Sequence, residues 1–195
     1  MLKDKVALIT GAASGIGYAI AKKMTEEGCK VVIADVNKEG VEKVCKELGC
    51  IGMASDLSTR QGCRDIVDMA VSEYGEVDIL GNVAGIQHVC EIDKFPEDKW
   101  DFMISLRLTA PFLLMKYCWP SMKEKGWGRI INLSSIHGLV ASEFKSCYVS
   151  AKHGLFGLTK TAAMEGGPYG ITANCICPAD VMTPLVEGQI SAQAD

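Results

Sequence analysis

Aromatic residues, prolines and long apolar runs are all scarce in this sequence of 195 residues. Aromatics make up 7% of the chain, there are six prolines, and no apolar stretch approaches the roughly 20 residues that cross a bilayer. The 20 basic residues are outnumbered by 24 acidic ones, and no run of Lys and Arg is long enough to follow a nucleic-acid backbone. The apolar segment near the N-terminus is too short for a signal peptide. We therefore expect one globular, cytoplasmic domain over residues 1–195, without membrane or nucleic-acid partners.

Cysteine is the exception to this scarcity, because the chain has nine of them. Their odd number, their scatter and the missing export signal favour reduced thiols over a disulfide framework. Cys175 and Cys177 are the closest pair, and neither has a second cysteine pair or a nearby histidine. The sequence therefore predicts no metal site.

Short β-branched runs alternate with longer amphipathic stretches along the chain. Runs without polar alternation predict strands that are buried on both faces, as in a parallel sheet covered by helices. Six strands are predicted, at 6–10, 30–34, 52–54, 78–82, 129–133 and 172–177. Helices are predicted at 15–27, 38–48, 60–74, 99–125 and 146–165. This order predicts an α/β fold, a doubly wound parallel sheet of Rossmann type with helices on both faces.

A glycine-rich turn joins the first predicted strand to the first helix. It reads Thr10-Gly11-Ala12-Ala13-Ser14-Gly15-Ile16-Gly17. Small residues let the backbone approach a ligand, and the helix start offers free N–H groups and a positive dipole end to a pyrophosphate. A tight turn with close helix packing needs the same glycines, but the position after the first strand favours a nucleotide site. Gly11, Ser14, Gly15, Ile16 and Gly17 are the predicted contacts.

Two acidic positions further along predict the rest of a dinucleotide site. Asp35 ends the second strand, 18 residues beyond Gly17, where a carboxylate accepts hydrogen bonds from ribose hydroxyls and repels a 2′-phosphate. A turn or capping aspartate is the alternative, but no arginine follows at the next two positions, so the sequence favours NAD over NADP. Asp56 and Leu57 follow the third strand, where we expect the adenine ring.

A phenol and an ammonium are paired in the helix predicted at 146–165. Tyr148 and Lys152 are four residues apart and share one helix face. A neighbouring cation favours the phenolate, which makes the phenol a usable acid or base near neutral pH. The same spacing also occurs in ordinary surface pairs. Ser135, 13 residues before Tyr148, follows the fifth strand, where its hydroxyl could hold a substrate carbonyl.

These motifs together resemble the short-chain dehydrogenase/reductase family. The T-G-x-x-x-G-x-G turn, the N-x-A-G segment at Asn82 to Gly85, Ser135 and Y-x-x-x-K occur in family order and spacing, from residue 2 to the end of the chain. The resemblance implies that Ser135, Tyr148 and Lys152 are catalytic and that the protein is a homotetramer. It also implies further NAD contacts at Asn82, Ala84, Gly85, Tyr148, Lys152 and Thr183.

A narrower resemblance is to bacterial D-3-hydroxybutyrate dehydrogenases. It rests on the segments at 85–88, 136–142, 145–146 and 183–190. It implies that Gln87, His137, Lys145 and Gln189 bind the substrate carboxylate, beside Ser135 and Tyr148. The implied reaction is hydride transfer from 3-hydroxybutyrate to NAD, with Tyr148 taking the hydroxyl proton and acetoacetate as the product.

The sequence departs from the family pattern at several positions. Arg107 replaces an asparagine that serves a proton relay, and it cannot accept a hydrogen bond. Gly81 removes packing from the fourth strand, Val83 after it lacks a polar tether, and Ala179 and Asp180 replace a Gly-Trp pair. The family also continues into a seventh strand, so we expect a C-terminally truncated domain of impaired activity. Two alternatives stay open, a relative acting on a neutral alcohol or an acyl thioester, and a non-catalytic NAD-binding paralogue.

Overall fold

The computed structural model describes residues 2–179 and residue 181. The strands are β1 (Val6–Thr10), β2 (Lys30–Asp35), β3 (Ile51–Ala54), β4 (Ile79–Asn82), β5 (Gly128–Leu133) and β6 (Ile171–Ile176). The helices are α1 (Gly15–Glu26), α2 (Lys38–Leu48), α3 (Arg60–Tyr74), α4 (Glu97–Ile104), α5 (Ala110–Lys125) and α6 (Ser146–Gly166). Short 3₁₀ turns lie at Ile92–Lys94, Ile136–Gly138 and Gly167–Tyr169.

The six strands form one parallel sheet in the order β3-β2-β1-β4-β5-β6. The sequence predicted the parallel, doubly wound sheet correctly. The order reverses between β1 and β4, and such a switch point opens a crevice beyond the carboxyl ends of the strands. Within the described residues, no helix combines the length and apolarity needed to span a bilayer.

Alternating side chains of each strand supply two apolar layers, one on each face of the sheet. Leu8 and Leu80 face one layer with residues of α3 and α5. Ile9 and Ile79 face the other layer with residues of α1 and α2. All four side chains are at most 2% exposed. Helices on both faces therefore explain why the strand sequences lack polar alternation.

Local sequence signals fix the ends of the helices. Asn37 caps α2 by accepting from Gly40 N at 3.1 Å, and Thr59 caps α3 by accepting from Gly62 N at 3.0 Å. Gly49 and Gly75 end these two helices in the left-handed region, which glycine enters without steric cost. These signals explain why the predicted bounds of both helices are correct.

The helix predicted at 99–125 differs from the structure. It begins at Glu97, and a π-helical segment, Ser105–Thr109, separates α4 from α5. Hydrophobic periodicity does not reveal a switch from i→i+4 to i→i+5 bonding, so the sequence predicted one regular helix. Single π turns often occur at functional sites, and this one carries Arg107.

A buried carboxylate ties the amino ends of the strands together. Asp78 is 1% exposed and accepts from Val6 N at 2.9 Å and from Lys125 Nζ at 2.7 Å, with Lys5 Nζ at 3.3 Å. Burial by itself would raise the pKa of this carboxyl. The hydrogen bonds and the two positive charges outweigh burial, and the net result is a lowered pKa.

All nine cysteines are free thiols. Cys29, Cys63, Cys118 and Cys147 are buried, and burial raises the pKa of the Cys118 thiol to about 12. Among the described residues, no group of His, Cys, Asp and Glu is arranged to hold a metal ion.

Candidate active site

The glycine turn after β1 is as tight as its sequence predicts. Gly11 has φ 65°, and its N–H donates to Ala34 O at 2.7 Å. A Cβ on Gly11 would lie 2.7 Å from Ala84 Cα, and one on Gly17 would lie 2.1 Å from Gly11 O. Neither position has room for a side chain, because the backbones of the turn, α1 and the segment after β4 approach each other so closely.

A cavity of about 420 Å³ opens beside this turn, at the carboxyl ends of β1, β2 and β4. Ten of its lining residues are predicted cofactor contacts: Gly11, Ser14, Gly15, Ile16, Gly17, Asp35, Asp56, Leu57, Ala84 and Gly85. The others were not predicted: Val36, Ser55, Val83, Ile86, Phe102, Leu106 and Leu133. The volume lies within the range of small-molecule sites. Because side-chain-free backbone lines one wall and a carboxylate another, the cavity fits a dinucleotide.

Asp35 stands at the rim of the cavity with acceptor capacity to spare. Its Oδ2 accepts from Ala13 N at 3.1 Å and its Oδ1 from Asn37 N at 3.0 Å. No salt bridge engages it among the residues described. A carboxylate offers about four lone-pair sites, so the two backbone contacts leave room for a pair of hydroxyl donors.

Thr10 is a structural contributor that the sequence analysis missed. Its hydroxyl accepts from Val83 N at 2.9 Å and Ala84 N at 3.1 Å, and donates to Gly81 O at 3.3 Å. It therefore holds the segment after β4 against the glycine turn. The signal was a hydroxyl residue at a strand end beside a glycine turn, where side chains often bond to the backbone.

The unusual residues of β4 and the loop after it are accommodated locally. A Cβ on Gly81 would lie 2.8 Å from Ile9 Cδ1, so the side chain of Ile9 fills the space that a larger residue would need. The expected loss of packing at Gly81 is therefore offset. Val83 lines the cavity, and its backbone is held by Thr10 although its side chain offers no polar tether.

Asn82 is buried away from the cavity lining. Its Nδ2 donates to Asn132 Oδ1 at 2.7 Å, and Asn132 Nδ2 donates to Thr159 Oγ1 at 2.8 Å. These bonds join β4, β5 and α6 into one buried network. Asn82 Oδ1 has no hydrogen-bond partner. A direct cofactor contact of Asn82 stays a prediction, while the structure shows it linked through Asn132 to the helix that carries Tyr148.

Ser135, His137 and Tyr148 lie together beyond the end of β5. Ser135 caps the short turn Ile136–Gly138, where its Oγ accepts from His137 N at 3.2 Å and lies 3.3 Å from His137 Nδ1. The His137 ring meets the Tyr148 ring edge-on, with centroids 5.8 Å apart. The two hydroxyl residues predicted to be catalytic are thus joined through the histidine predicted to bind substrate.

Lys152 is 4% exposed, one helical turn beyond Tyr148. Its ammonium donates to Leu133 O at the end of β5 and lies 5.6 Å from the centroid of the Tyr148 ring. Burial, with a smaller contribution from the positive charge of Arg107, holds the pKa of Lys152 well below its usual value. Of the predicted Tyr148–Lys152 pair, the lysine is therefore buried and the tyrosine half-buried, unlike an ordinary surface pair.

Arg107 enters the same cluster from the π-helical segment. It is 5% exposed, its Nε donates to Ile86 O, and its Cζ lies 4.6 Å from the centroid of the Tyr148 ring. Burial lowers the pKa of Arg107 to about 10, against an opposing contribution from Tyr148 and Cys147. The residue expected to interrupt a proton relay therefore contacts the predicted acid–base group.

The predicted carboxylate-binding residues are only partly brought to this cluster. His137 lies within it, Lys145 immediately precedes α6, and Gln87 follows the cavity segment, where its Oε1 accepts from His88 N at 3.2 Å. Among the residues described, no hydrogen bond, ion pair or ring contact joins Gln87 or Lys145 to Tyr148. Thr183 and Gln189 lie outside the described residues.

Comparison with known proteins identifies the family. The model of the short chain dehydrogenase family matches residues 5–194. An uncharacterized oxidoreductase of Bacillus subtilis, YxjF, is 45% identical over 97% of this chain and 76% of its own. A D-beta-hydroxybutyrate dehydrogenase of Cupriavidus necator is 44% identical over 100% of this chain and 77% of its own.

A solved structure agrees in fold with this chain. The 3-ketoacyl-(acyl-carrier-protein) reductase of Brucella melitensis, crystallised with NADH, superposes with a TM-score of 0.92 at 32% identity. The superposition covers 96% of this chain and 80% of the reductase. The cofactor in that crystal agrees with the NAD predicted here from Asp35. This chain belongs to the short-chain dehydrogenase family.

Proposed function

We propose that the protein is an NAD-dependent dehydrogenase that oxidises D-3-hydroxybutyrate to acetoacetate, reversibly. The observation that carries the dehydrogenase chemistry is the cluster of buried Ser135, half-buried Tyr148 and buried Lys152 beside the cavity at the glycine turn. The substrate assignment draws on the 44% identity to a D-beta-hydroxybutyrate dehydrogenase and on the histidine in contact with Tyr148.

In this proposal, different residues of the cavity bind different parts of the cofactor. The N–H groups at the start of α1 and the glycine turn hold the pyrophosphate, Asp35 accepts from the ribose hydroxyls, and Asp56 with Leu57 borders the adenine. The chemistry that bound NAD would supply here is a hydride acceptor for the substrate carbon. The 2′-phosphate of NADP would face the uncompensated carboxylate of Asp35, which is the reason for preferring NAD.

The catalytic residues then handle the proton and the reacting oxygen. Tyr148 takes the hydroxyl proton as the alcohol becomes a ketone, and Ser135 holds the oxygen by a hydrogen bond. Lys152 places its amino group, with its hydrogen-bond donors, near the phenol. The hydrogen bond from this group to Leu133 O fixes the position of the lysine side chain. General acid–base catalysis of this kind contributes roughly 10²–10⁴ in rate.

A small hydroxy acid also needs donors for its carboxylate. Lys145, His137, Gln87 and Gln189 are proposed for this role, since a cationic, donor-rich pocket compensates the loss of water around the anion. The acyl-thioester alternative has its own support, because the NADH-bound structure is a 3-ketoacyl-(acyl-carrier-protein) reductase and Phe102, Leu106 and Ile86 give the cavity an apolar wall.

A substrate panel tests the proposal. We would compare steady-state kinetics with D-3-hydroxybutyrate, its L enantiomer, cyclohexanol and a 3-ketoacyl thioester in the reductive direction. The D acid should have the highest kcat/KM. A preference for cyclohexanol or the thioester would replace the substrate assignment, and NADH binding without turnover of any compound would indicate a non-catalytic member of the family.

Lys145 gives the panel a matched pair of variants. Lys145→Met should raise KM for D-3-hydroxybutyrate at least tenfold with little change in kcat, because a charge-assisted hydrogen bond is worth about 1.5–3 kcal/mol. Lys160→Met removes the same charge from an exposed position of α6 and should change neither. If Lys145→Met and Lys160→Met have the same KM for D-3-hydroxybutyrate, Lys145 does not bind the substrate carboxylate.

A further inference from the structure

Arg107 is a buried cation that the proposed chemistry does not use. Its guanidinium touches three parts of the molecule: Ile86 O in the segment after β4, the Gly85 backbone, and the face of the Tyr148 ring on α6. A Cβ on Gly85 would lie 2.7 Å from Arg107 Cζ. The guanidinium is thus wedged between the cavity segment and the predicted acid–base residue.

This positive charge has no carboxylate partner within the part of the chain that the structure describes. A second basic group, Lys152, approaches the same tyrosine ring. Burying an unpaired cation costs free energy, and a second cation beside it adds to that cost. The site would therefore be stabilised by any neighbour that becomes negative.

Two neighbours could supply that negative charge, Cys147 and Tyr148. Cys147 is completely buried, its thiol donates to Trp100 O at 3.6 Å, and burial raises its pKa. Tyr148 is only half-buried, so its ionised form loses less hydration. Its ring lies under the guanidinium at 4.6 Å. Tyr148 is the group whose ionisation balances the buried cation at the lower cost.

We propose that Arg107 is a positioning residue for Tyr148: it clamps the ring against the segment after β4 and supplies the positive charge that balances the phenolate. This inference rests on the acid–base role given to Tyr148 under the proposed function, but not on the identity of the substrate. An arginine also cannot relay a proton onward, so it replaces a polar relay by a fixed charge.

Other groups that face Tyr148 could also affect its ionisation, and a test of Arg107 must leave them unchanged. Arg107 approaches from the π-helical segment, Lys152 and Cys147 lie on its own helix, and His137 faces it from the turn after β5. A variant at Arg107 leaves the other three unchanged, so a charge effect of Arg107 can be isolated.

The experiment titrates Tyr148 itself, through the near-ultraviolet absorbance of tyrosinate, without any substrate. Subtracting the titration of Tyr148→Phe isolates this residue from the other four tyrosines. In Arg107→Gln the Tyr148 signal should appear at a pH about one unit higher than in the wild type, a tenfold change in proton concentration. Arg107→Lys keeps the charge and should stay close to the wild type.

Each alternative outcome overturns the proposal. If Arg107→Gln and the wild type titrate alike, the guanidinium charge does not act on Tyr148. If Arg107→Lys moves as far as Arg107→Gln, shape rather than charge controls the phenol. NADH binding, measured on the same samples, reports that the cleft is folded. The titration contains no substrate. If the protein does not oxidise 3-hydroxybutyrate, the proposed function is refuted, but the titration still tests the role of Arg107.

Discussion

At the amino end of the parallel sheet a buried charge is fully paired, whereas at the carboxyl end buried charges stand without partners of opposite sign. Asp78 accepts from two lysines and a backbone N–H. Its charge is therefore an advantage to the folded state, and its carboxyl has a lowered pKa. Nothing in this arrangement leaves a group available to a ligand.

The carboxyl end has the opposite arrangement. Arg107 and Lys152 are buried with backbone carbonyls and a tyrosine ring, and Asp35 meets only backbone N–H groups. None of the three forms a salt bridge within the described residues. A buried charge that is paired with opposite charge stabilises the fold. A charge without such a partner is available to bind a cofactor or to take part in a reaction. The following predictions test that contrast.

The largest expected effect is the loss of turnover in Tyr148→Phe. Removing the phenol oxygen removes the proton acceptor, and kcat should fall by a factor of about 10²–10⁴. NADH affinity should stay within a few-fold of the wild type, because the glycine turn and Asp35 are untouched. Steady-state kinetics and fluorescence titration measure the two effects.

Tyr169→Phe is the matched control for that variant. Tyr169 lies in the turn before β6, stacks under Lys123 and is 38% exposed. The same loss of one oxygen there should leave kcat unchanged. Near-normal turnover in Tyr148→Phe would mean that another group handles the proton.

At the amino end, Asp78→Asn should affect stability and leave chemistry alone. We expect a loss of about 2 kcal/mol in the free energy of unfolding, below the 3–5 kcal/mol of a fully buried pair because both lysines reach solvent. Because the carboxyl pKa is lowered in the folded state, its contribution is present above about pH 4 and fades as the pH falls further.

Chemical denaturation of Asp78→Asn and the wild type over a range of pH measures this contribution. The difference between the two should shrink below about pH 4. Asp68→Asn, at an exposed position of α3, controls for the loss of one negative charge and should have no effect. A lowered kcat in correctly folded Asp78→Asn would show that the charge at the amino end of the sheet also affects catalysis, contrary to the contrast drawn above.

The smallest effect expected is a change of cofactor preference in Asp35→Ala. The wild type should bind NADH more tightly than NADPH, and the variant should narrow that ratio by about tenfold, since one repulsive charge is removed. Asp68→Ala again serves as the control. Parallel fluorescence titrations with both cofactors give the ratio, and an unchanged ratio would show that Asp35 does not select the cofactor.

Much of the fold was predictable because its signals are local. The capping residues and terminal glycines of α2 and α3 fixed their bounds, and unbroken apolar runs identified strands buried on both faces. The glycine turn was equally predictable, since a Cβ on Gly11 or Gly17 would lie within 3 Å of backbone atoms, which leaves room for glycine alone. Ten of the predicted cofactor contacts line the cavity.

The remainder depends on which distant segments meet, and one-dimensional patterns carry little of that information. The π-helical segment has no periodic signature, so the direction of Arg107 could not be read from its neighbours. Phe102 and Leu106 look like core residues in sequence but line the cavity. The carboxylate site proposed around Lys145 and Gln87 stays a prediction.

The junction of β1 and β4 has a consequence for folding kinetics. Its hydrogen bonds at both ends, from Val6 N to the Asp78 carboxylate and from the Thr10 hydroxyl to Gly81 O, join residues 72 and 71 positions apart. Closing a loop of that length costs about 4 kcal/mol of chain entropy before any contact is gained. Both strands are wholly buried once this closure is complete. A newly synthesised chain therefore leaves these two strands exposed until β4 docks beside β1, and it is vulnerable to aggregation during that interval.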